Sequence, residues 1–408
     1  MTDTQVSELK RVLSLPMVCL YGLGNILGAG IYVLIGRVAA EAGYFAPLAF
    51  ILASLIAAVT AFSFAELSSR FPYAAGSALY VHRGFQRQQL TKVIGILIVL
   101  TGVVSAATMA RGFVGYLNTF LEIPPWLVIS LLLILLGGLA SWGISQSVAS
   151  AAVITAIEVI GLLIILGVAI PAVDSIEQIP EFGSNESSFS LFGLLSGSFL
   201  AFYAFIGFED MVNVAEEVKE PNRNMPLAIL FSLLSATVLY VVVSIAALLV
   251  VDPMTLGETE APLALVYETA TGNSPWLISF ISLFAVINGA LIQIIMGSRV
   301  LYGLARENLL PSTFARVNAH SNTPVYATFV VSAAVIIAAL WLPIEVLARM
   351  TTGLLLVVFC FVNFALVRIK NNSTVEQDTF QVPLLVPVTG TIVSGLFLLF
   401  EVISLLDF

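Results

Sequence analysis

Charged residues are scarce in this sequence, and their scarcity excludes a water-soluble protein. Lys and Arg number 16 and Asp and Glu number 25 among 408 residues, which together make 10% of the chain. Soluble domains carry about 25% charged residues. With 59% of the residues hydrophobic, the chain has too little polar surface to face water on all sides. Lipid must therefore be its main solvent.

Cysteine and histidine are equally rare, with two residues of each. Two cysteines exclude a disulfide framework and a thiolate metal cluster. The sequence has no recognisable nucleophile–base triad, phosphate-binding loop or metal-ligand motif. An enzyme is therefore the least favoured class, and we expect neither a cofactor nor a metal. A basic stripe that could hold phosphates is also missing, which argues against nucleic acid as a partner.

Long apolar runs are what the sequence has instead. A bilayer core about 30 Å thick requires about 20 apolar residues per helix. The runs are continuous rather than alternating, which is typical of helices and excludes a β-barrel. The sequence thus predicts an all-α polytopic membrane protein with a single membrane domain over 1–408. Eleven spans are predicted, near 14–36, 44–67, 92–119, 125–142, 147–171, 190–208, 226–251, 276–304, 324–341, 344–368 and 383–405.

The distribution of basic residues predicts the orientation of these spans. Most Lys and Arg fall in connections on the same side as the N-terminus, whereas the loops 172–189 and 252–275 carry acidic residues and no Lys or Arg. Because cytoplasmic loops are enriched in Lys and Arg, we expect a cytoplasmic N-terminus. An odd number of spans then leaves the C-terminus outside the cell membrane. The polar start, Met1 to Lys10, predicts no cleavable signal peptide.

The first span contains a cluster of glycines over Gly22–Tyr32. Glycine in a helix interior costs about 1 kcal/mol relative to alanine, so the cluster requires a reason. One interpretation is close helix packing, since Gly24 and Gly28 have the spacing of a small-residue interface. The other is an unwound segment. Unwinding would free backbone groups that a bound zwitterion can satisfy and would direct a half-helix N-terminus at a carboxylate.

The sixth span has a similar feature. Gly207 follows an aromatic stretch and precedes Glu209 by two residues. An ionisable group near membrane depth is a functional candidate, although a helix cap or salt bridge would explain it as well. The two candidate breaks lie five spans apart, which indicates two inverted repeats of five helices with the substrate between them. The repeats would cover 14–171 and 190–368, with an additional span at 383–405.

Four further features of the sequence are short segments in order along the chain: Gly28–Ile31, Phe71–Gly76, Ile206–Glu209 with Ala215–Pro221, and Arg299–Arg306 with Leu309–Pro311. Together they resemble the amino acid–polyamine–organocation (APC) superfamily, and the sixth-span segment is the most specific of them. The resemblance implies a LeuT-type fold with helices 1 and 6 broken, and amino acid transport by alternating access.

The resemblance also implies roles for particular residues. Amides around Gly28, Ala29 and Gly30 would hold the substrate carboxylate. The ammonium group would donate to the carbonyls of Ile26, Tyr203 and Ile206, while Ala204 and Phe205 would shape the side-chain pocket. Tyr203 would also act as an aromatic gate over the ligand. Glu209 is a second gate candidate.

Glu158 is the best placed intramembrane carboxylate, near the middle of the fifth span. It shares a helical face with Thr155 and Gly161, so it should point into the bundle. Some similar transporters have a lysine near this position, and the carboxylate here puts a lysine-type mechanism in doubt. Three roles stay open: a proton carrier, a structural hydrogen-bonding group and a cation ligand. Asn288 in the eighth span is the expected neighbour of Glu158.

The function favoured by these features is a secondary active amino acid transporter, with proton-coupled symport as the first choice. The co-substrate would be a proton or sodium. An exchanger is the alternative within the same class, and an amino acid sensor on the same fold is the runner-up. A channel is disfavoured because the outer halves of the spans are too apolar to form polar rings through the membrane.

Overall fold

A computed structural model describes residues 11–28, 30–73, 76–142, 148–173, 189–318, 321, 323–372 and 379–406. The described chain forms fifteen α-helices and three short 3₁₀ segments, with an isolated bridge and no β-ladder among these residues. The helices are α1 Leu15–Leu27, α2 Gly30–Ala42, α3 Ala46–Arg70, α4 Gly76–Phe85, α5 Gln88–Leu117, α6 Pro125–Trp142, α7 Val148–Val173, α8 Leu191–Tyr203, α9 Pro221–Val250, α10 Pro253–Glu258, α11 Pro262–Thr271, α12 Trp276–Arg306, α13 Val325–Trp341, α14 Ile344–Asn372 and α15 Leu385–Leu406.

The helices confirm the predicted all-α polytopic membrane protein. Within the described ranges, eight helical segments are long and apolar enough to cross a membrane. One of them joins α2 to α3 through the 3₁₀ turn Gly43–Phe45. Three shorter apolar helices, α1, α8 and α13, complete the set. Each of the eleven predicted spans contains one of these helices or, for the first span, the pair α1 and α2.

The first and sixth spans, whose glycines mark the candidate breaks, are both interrupted. Helix α1 ends at Leu27 and α2 begins at Gly30. Helix α8 ends at Tyr203, a run of turns follows over 204–208, and a 3₁₀ segment then covers Glu209–Glu217. The interpretation of the glycines as marking unwound segments is therefore confirmed for the backbone of both spans.

A cluster of charges joins one end of the bundle. Glu66, fully buried near the end of α3, accepts hydrogen bonds from Lys370 Nζ at 2.7 and 2.8 Å. Arg70 pairs with the same carboxylate one helical turn away. The Val382 amide also donates to it, at 2.8 Å. A buried carboxylate requires such partners, and they fasten the ends of α3 and α14 to the segment that leads into α15.

The start of the first span is attached to the segment that follows the sixth. The Leu13 amide donates to Glu217 O, and the Lys219 amide donates to Leu13 O, each at 2.9 Å. Leu13 and Val218 thereby form a parallel bridge. We call this pair of hydrogen bonds the strap. The strap is a direct backbone connection between the two interrupted spans.

Three short helices lie in connections for which no structure was predicted. Helix α4 follows α3, and α10 and α11 fill the loop 252–275. Helix α10 packs on α2, where the Leu256 carbonyl is so close to Gly36 that a side chain there would collide with it. It covers the second half of the first span. Most of the other acidic loop, 172–189, lies outside the described residues.

Candidate functional site

The two breaks lie against each other. Gly207 has a φ of +124°, and a β-carbon on it would meet the carbonyl of Asn25 and the amide of Ile26. Gly30 touches the Ala204 backbone in the same way, since a β-carbon there would meet Ala204 Cα. Gly207 must be glycine because of its positive φ, and both Gly207 and Gly30 must be glycine because the two breaks approach so closely there. The sequence thus brings two stretches of open main chain together in the bundle interior.

Tyr240 on α9 joins the two breaks by hydrogen bonds. Its hydroxyl lies 2.7 Å from Ile26 O and 2.8 Å from Ala204 O. The ring packs between Phe50 and Phe205, with centroids 5.7 and 5.2 Å away. An unsatisfied carbonyl in an apolar interior costs several kcal/mol, so the single hydroxyl proton of Tyr240, shared between the two carbonyls, supports both interruptions. Sequence reasoning missed Tyr240, because one aromatic residue in an apolar helix gives no signal.

The predicted substrate residues are brought together and closed off from solvent. The described side chains among them are no more than 7% exposed, as found for Ile26, Tyr203, Ala204, Phe205 and Ile206. Ala29, in the middle of the first break, lies outside the described residues. A ligand can reach this site only if the surrounding helices move.

Some of the predicted backbone groups already have partners. The Gly28 amide donates to Gly24 O at 3.1 Å, and Tyr203 O accepts the Ile206 amide at 3.1 Å. Gly30 is the first residue of α2, so its amide has no partner inside the helix. A carbonyl has two acceptor sites, which leaves one on Ile26 O beside Tyr240. The first break therefore offers donors at the start of α2 and an acceptor at the end of α1.

Asn25 is a further candidate that sequence reasoning missed. Its Nδ2 is buried and, among the residues that the structure describes, meets the geometric criteria for no hydrogen bond, although the Tyr21 side chain is near enough to interact with it. A buried amide left unpaired costs about 1–3 kcal/mol. Its position within the glycine cluster, three residues before Gly28, is the signal that would have pointed to it.

The two gate candidates differ in their surroundings. The hydroxyl of Tyr203 lies 3.1 Å from both Oγ and O of Ser105 on α5, so the end of α8 is attached to the third span. Glu209 Oε2 accepts the Gly207 amide at 2.9 Å. That carboxylate therefore caps the break locally, which is the alternative considered for it from the sequence.

Glu158 is fully buried on α7, next to the first break. Tyr32 on α2 donates its hydroxyl to Glu158 O at 2.6 Å, and Thr155 Oγ1, one turn earlier, donates to Leu20 O on α1 at 3.1 Å. This stretch of α7 thus contacts both halves of the interrupted first span. In the described part of the chain, neither carboxyl oxygen of Glu158 meets the geometric criteria for a hydrogen bond, although the Asn288 side chain on α12 is near enough to interact with it.

These features define a multi-pass membrane protein with two interrupted helices facing each other around a buried site. The amino acid permease family matches residues 13–406, nearly the whole chain. The chain belongs to this family, within the APC superfamily that its motifs resemble. The family consists of transporters rather than enzymes.

Individual relatives differ in their substrates. The cationic amino acid transporter 3, mitochondrial, of Arabidopsis thaliana is 30% identical over 89% of this chain, and the chain spans 63% of that protein's length. The branched-chain amino acid permease BcaP of Bacillus subtilis is 25% identical over 98% of this chain and 89% of its own. The methylthioribose transporter of the same organism is 28% identical, also over 98% and 89%.

Proposed function

We propose that this protein is a secondary active transporter that carries amino acids across the cell membrane by alternating access. The observation that carries the proposal is the direct apposition of the breaks at Gly207 and Asn25 and at Gly30 and Ala204. Interrupted spans of this kind hold substrates at mid-membrane in transporters. Membership of the amino acid permease family supports an amino acid as the substrate.

An α-amino acid fits the polarity of the first break. Its carboxylate would be held by the amides at the start of α2, beginning with Gly30, and by the positive end of that half-helix. The Gly28 amide can join them only by giving up its bond to Gly24 O. The ammonium group would donate to Ile26 O and to carbonyls of the second break. Asn25 Nδ2 would be an additional donor for the carboxylate.

We propose further that Glu158 couples transport to a proton. A carboxyl group fully buried beside both halves of a broken helix is costly in its charged form. Taking up a proton removes that cost, and releasing it restores a charge that the surrounding helices must accommodate. Because Glu158 and its neighbour Thr155 contact α1 and α2, protonation there can alter how the two halves pack. Asn288 would hold either form.

Transport assays in liposomes test both proposals. A thermal-shift screen of the twenty amino acids and methylthioribose first identifies the ligand, because a ligand that binds the folded state raises its stability. Uptake of the labelled ligand into proteoliposomes, with a pH-sensitive dye inside, then measures substrate and proton movement together. We expect uptake driven by an inward proton gradient.

Glu158→Gln separates coupling from transport. Glutamine keeps the shape of the side chain but cannot release a proton, so proton uptake should disappear while exchange of internal for external substrate continues. Glu307→Gln, at an exposed position, is the matched control. Substrate-induced proton uptake by Glu158→Gln at the wild-type rate would contradict the coupling role. Exchange without net uptake in the wild type would indicate an exchanger, and binding without flux a sensor.

The proposed topology follows from the sequence. We propose two inverted five-helix repeats over 14–171 and 190–368, with α15 outside them, and a cytoplasmic N-terminus. Contacts between predicted same-side ends support the orientation of the spans. Leu13 binds Glu217 and Lys370 binds Glu66 on the predicted inner side, and Arg349 binds Glu41 and Glu401 on the predicted outer side. The orientation is tested in intact cells by the accessibility of cysteines introduced as Asn318→Cys, expected inside, and as Asn273→Cys, expected outside.

A further inference from the structure

A basic cavity of about 210 Å³ lies where α4 meets the end of α14, away from the two breaks. Among its described lining residues two are arginines and none is Asp or Glu. Both arginine side chains are exposed, so the cavity presents two positive charges to an anionic ligand. The lining residues are Arg83, Gly84, Phe85, Gln86, Arg368, Ile369 and Asn372.

Contacts hold both guanidinium groups in position but do not neutralise their charge. Arg368 Nε donates to Gly84 O at 3.0 Å, and its guanidinium lies 5.0 Å from the centre of the Phe85 ring. Arg83 lies 5.5 Å from the centre of the Phe71 ring. Neither arginine forms an ion pair with any described residue. A guanidinium has five N–H donors, so Arg368 can still donate from its terminal nitrogens.

An apolar surface runs from this cavity along α14. Phe364 lies four residues before Arg368, on the same face of the helix, and is 44% exposed. The ring of Phe85 packs 5.7 Å from Phe364 and 6.1 Å from Phe361. Because α14 is one of the membrane-spanning helices, its exposed apolar face contacts lipid chains. A ligand at this position would have its charge at Arg368 and its hydrocarbon against Phe364.

We propose that this cavity binds the phosphate group of an anionic phospholipid, with an acyl chain along Phe364. Arginine pairs with phosphate through two parallel hydrogen bonds, and basic pockets between helices at the cytoplasmic face are suited to anionic headgroups. A choline headgroup is disfavoured, since the part of the lining that the structure describes offers no carboxylate for its cation. The bound lipid would place one negative charge beside the two arginines and fasten α4 to α14.

Native mass spectrometry of the purified full chain tests this binding. Protein extracted from a mixture of phosphatidylglycerol and phosphatidylcholine should retain one phosphatidylglycerol. Arg83→Gln should lower its affinity about fivefold, as expected for one basic residue at a membrane surface. Arg83→Gln is the decisive variant because it leaves the Arg368 bond to Gly84 intact, so the fold is preserved. Arg316→Gln, at another exposed arginine, is the control and should retain the lipid fully.

Inorganic phosphate distinguishes a lipid from a soluble anion at the same arginines. Phosphatidylglycerol with short chains should raise the unfolding temperature of the wild type more than that of Arg83→Gln, whereas inorganic phosphate should have no effect on either. Equal lipid retention by Arg83→Gln and Arg316→Gln would overturn the proposal. So would stabilisation by inorganic phosphate through Arg83 without preference for phosphatidylglycerol, because the site would then bind a soluble anion.

Discussion

Arg349 Nη1 lies 3.0 Å from both carboxylate oxygens of Glu401, joining α14 to the last helix of the chain. Its Nη2 donates to Glu41 Oε1 at 2.8 Å and to Ser196 Oγ at 2.7 Å. One guanidinium therefore connects α14 and α15 to the end of α2 and to α8. These two helices belong to the two interrupted spans, so Arg349 holds them closed at the end opposite Glu66.

Arg349→Gln should destabilise the protein strongly. The change leaves the carboxylates of Glu41 and Glu401 without their cation, and removing one partner of a buried pair costs about 3–5 kcal/mol. The Glu401 side chain is 5% exposed, so solvent relieves little of this cost. Thermal unfolding in detergent measures the loss. Glu345→Gln is the control, because Glu345 is 43% exposed and a surface pair contributes about 0–1 kcal/mol; equal effects of the two changes would contradict the role of Arg349.

Tyr240→Phe should weaken substrate binding and lower stability by about 1–3 kcal/mol, the cost of leaving buried acceptors unpaired. The phenylalanine ring keeps the packing against Phe50 and Phe205 while Ile26 O and Ala204 O lose their donor. Tyr80→Phe is the matched control. Tyr80 is also fully buried, and its hydroxyl has no hydrogen-bond partner among the described residues, so that change should be neutral or stabilising.

Ligand affinity from the thermal-shift assay and the free energy of unfolding from denaturant titration check this prediction. A Tyr240→Phe protein as stable and as tightly binding as Tyr80→Phe would show that the hydroxyl bridge does not support the breaks.

Gly207→Ala should abolish transport. The positive φ strains any side chain by about 1–3 kcal/mol, and the new methyl group also collides with the Asn25 carbonyl across the junction. Gly272→Ala provides the comparison, since Gly272 has a φ of +66° with no atom within 4 Å of the added carbon. It tests a positive-φ glycine with room for a side chain, away from the breaks, and should leave uptake intact. Uptake by both variants is measured in proteoliposomes, and intact uptake by Gly207→Ala would contradict the need for glycine between the breaks.

Asp252 gives helix α10 a pH dependence. Its Oδ1 caps the helix by accepting the amides of Met254 and Thr255 at 3.1 and 3.0 Å. Hydrogen bonds from the Thr255 hydroxyl and these amides lower the pKa of Asp252 below its value in the unfolded chain. A lowered pKa in the folded state stabilises α10 above the unfolded pKa, and this contribution is lost as the pH falls through the folded pKa.

Hydrogen exchange of the α10 amides measures this cap. Asp252→Ala should lower the protection factors of these amides at neutral pH by an amount equivalent to about 1 kcal/mol, and acidification of the wild type should lower its protection factors toward the same values. Thr259→Ala, just beyond the helix, is the control. Exchange in Asp252→Ala that matches the wild type at neutral pH would contradict the cap.

The positions of both breaks could be predicted because glycine leaves a local signal. Gly28, Gly30 and Gly207 occur in spans where alanine or leucine would cost less, and only an unusual backbone or a close contact justifies them. The lengths of the apolar runs predicted the spans for a similar reason, since bilayer thickness fixes helix length. Glu158 stood out as the carboxylate near the middle of a span.

The contacts that complete the site could not be predicted, because they join distant parts of the chain. Tyr240 is 214 residues from Ile26, and Arg349 is 308 residues from Glu41. Neither residue differs in its local sequence from an ordinary helix residue. The short helix α10 was missed because six residues within a polar connection give too little periodicity to recognise.

The strap at Leu13 restricts how the first span can move. A displacement of α1 at its first residues must either carry the segment Glu209–Glu217 with it or break two backbone hydrogen bonds. The same two spans are also joined at their breaks, through Tyr240. The half of the first span that precedes its break is therefore attached at both of its ends, at Leu13 by the strap and at Ile26 by Tyr240. In the proposed alternating access, opening toward that side of the membrane would therefore be a single rotation of the pair, unless the strap separates first.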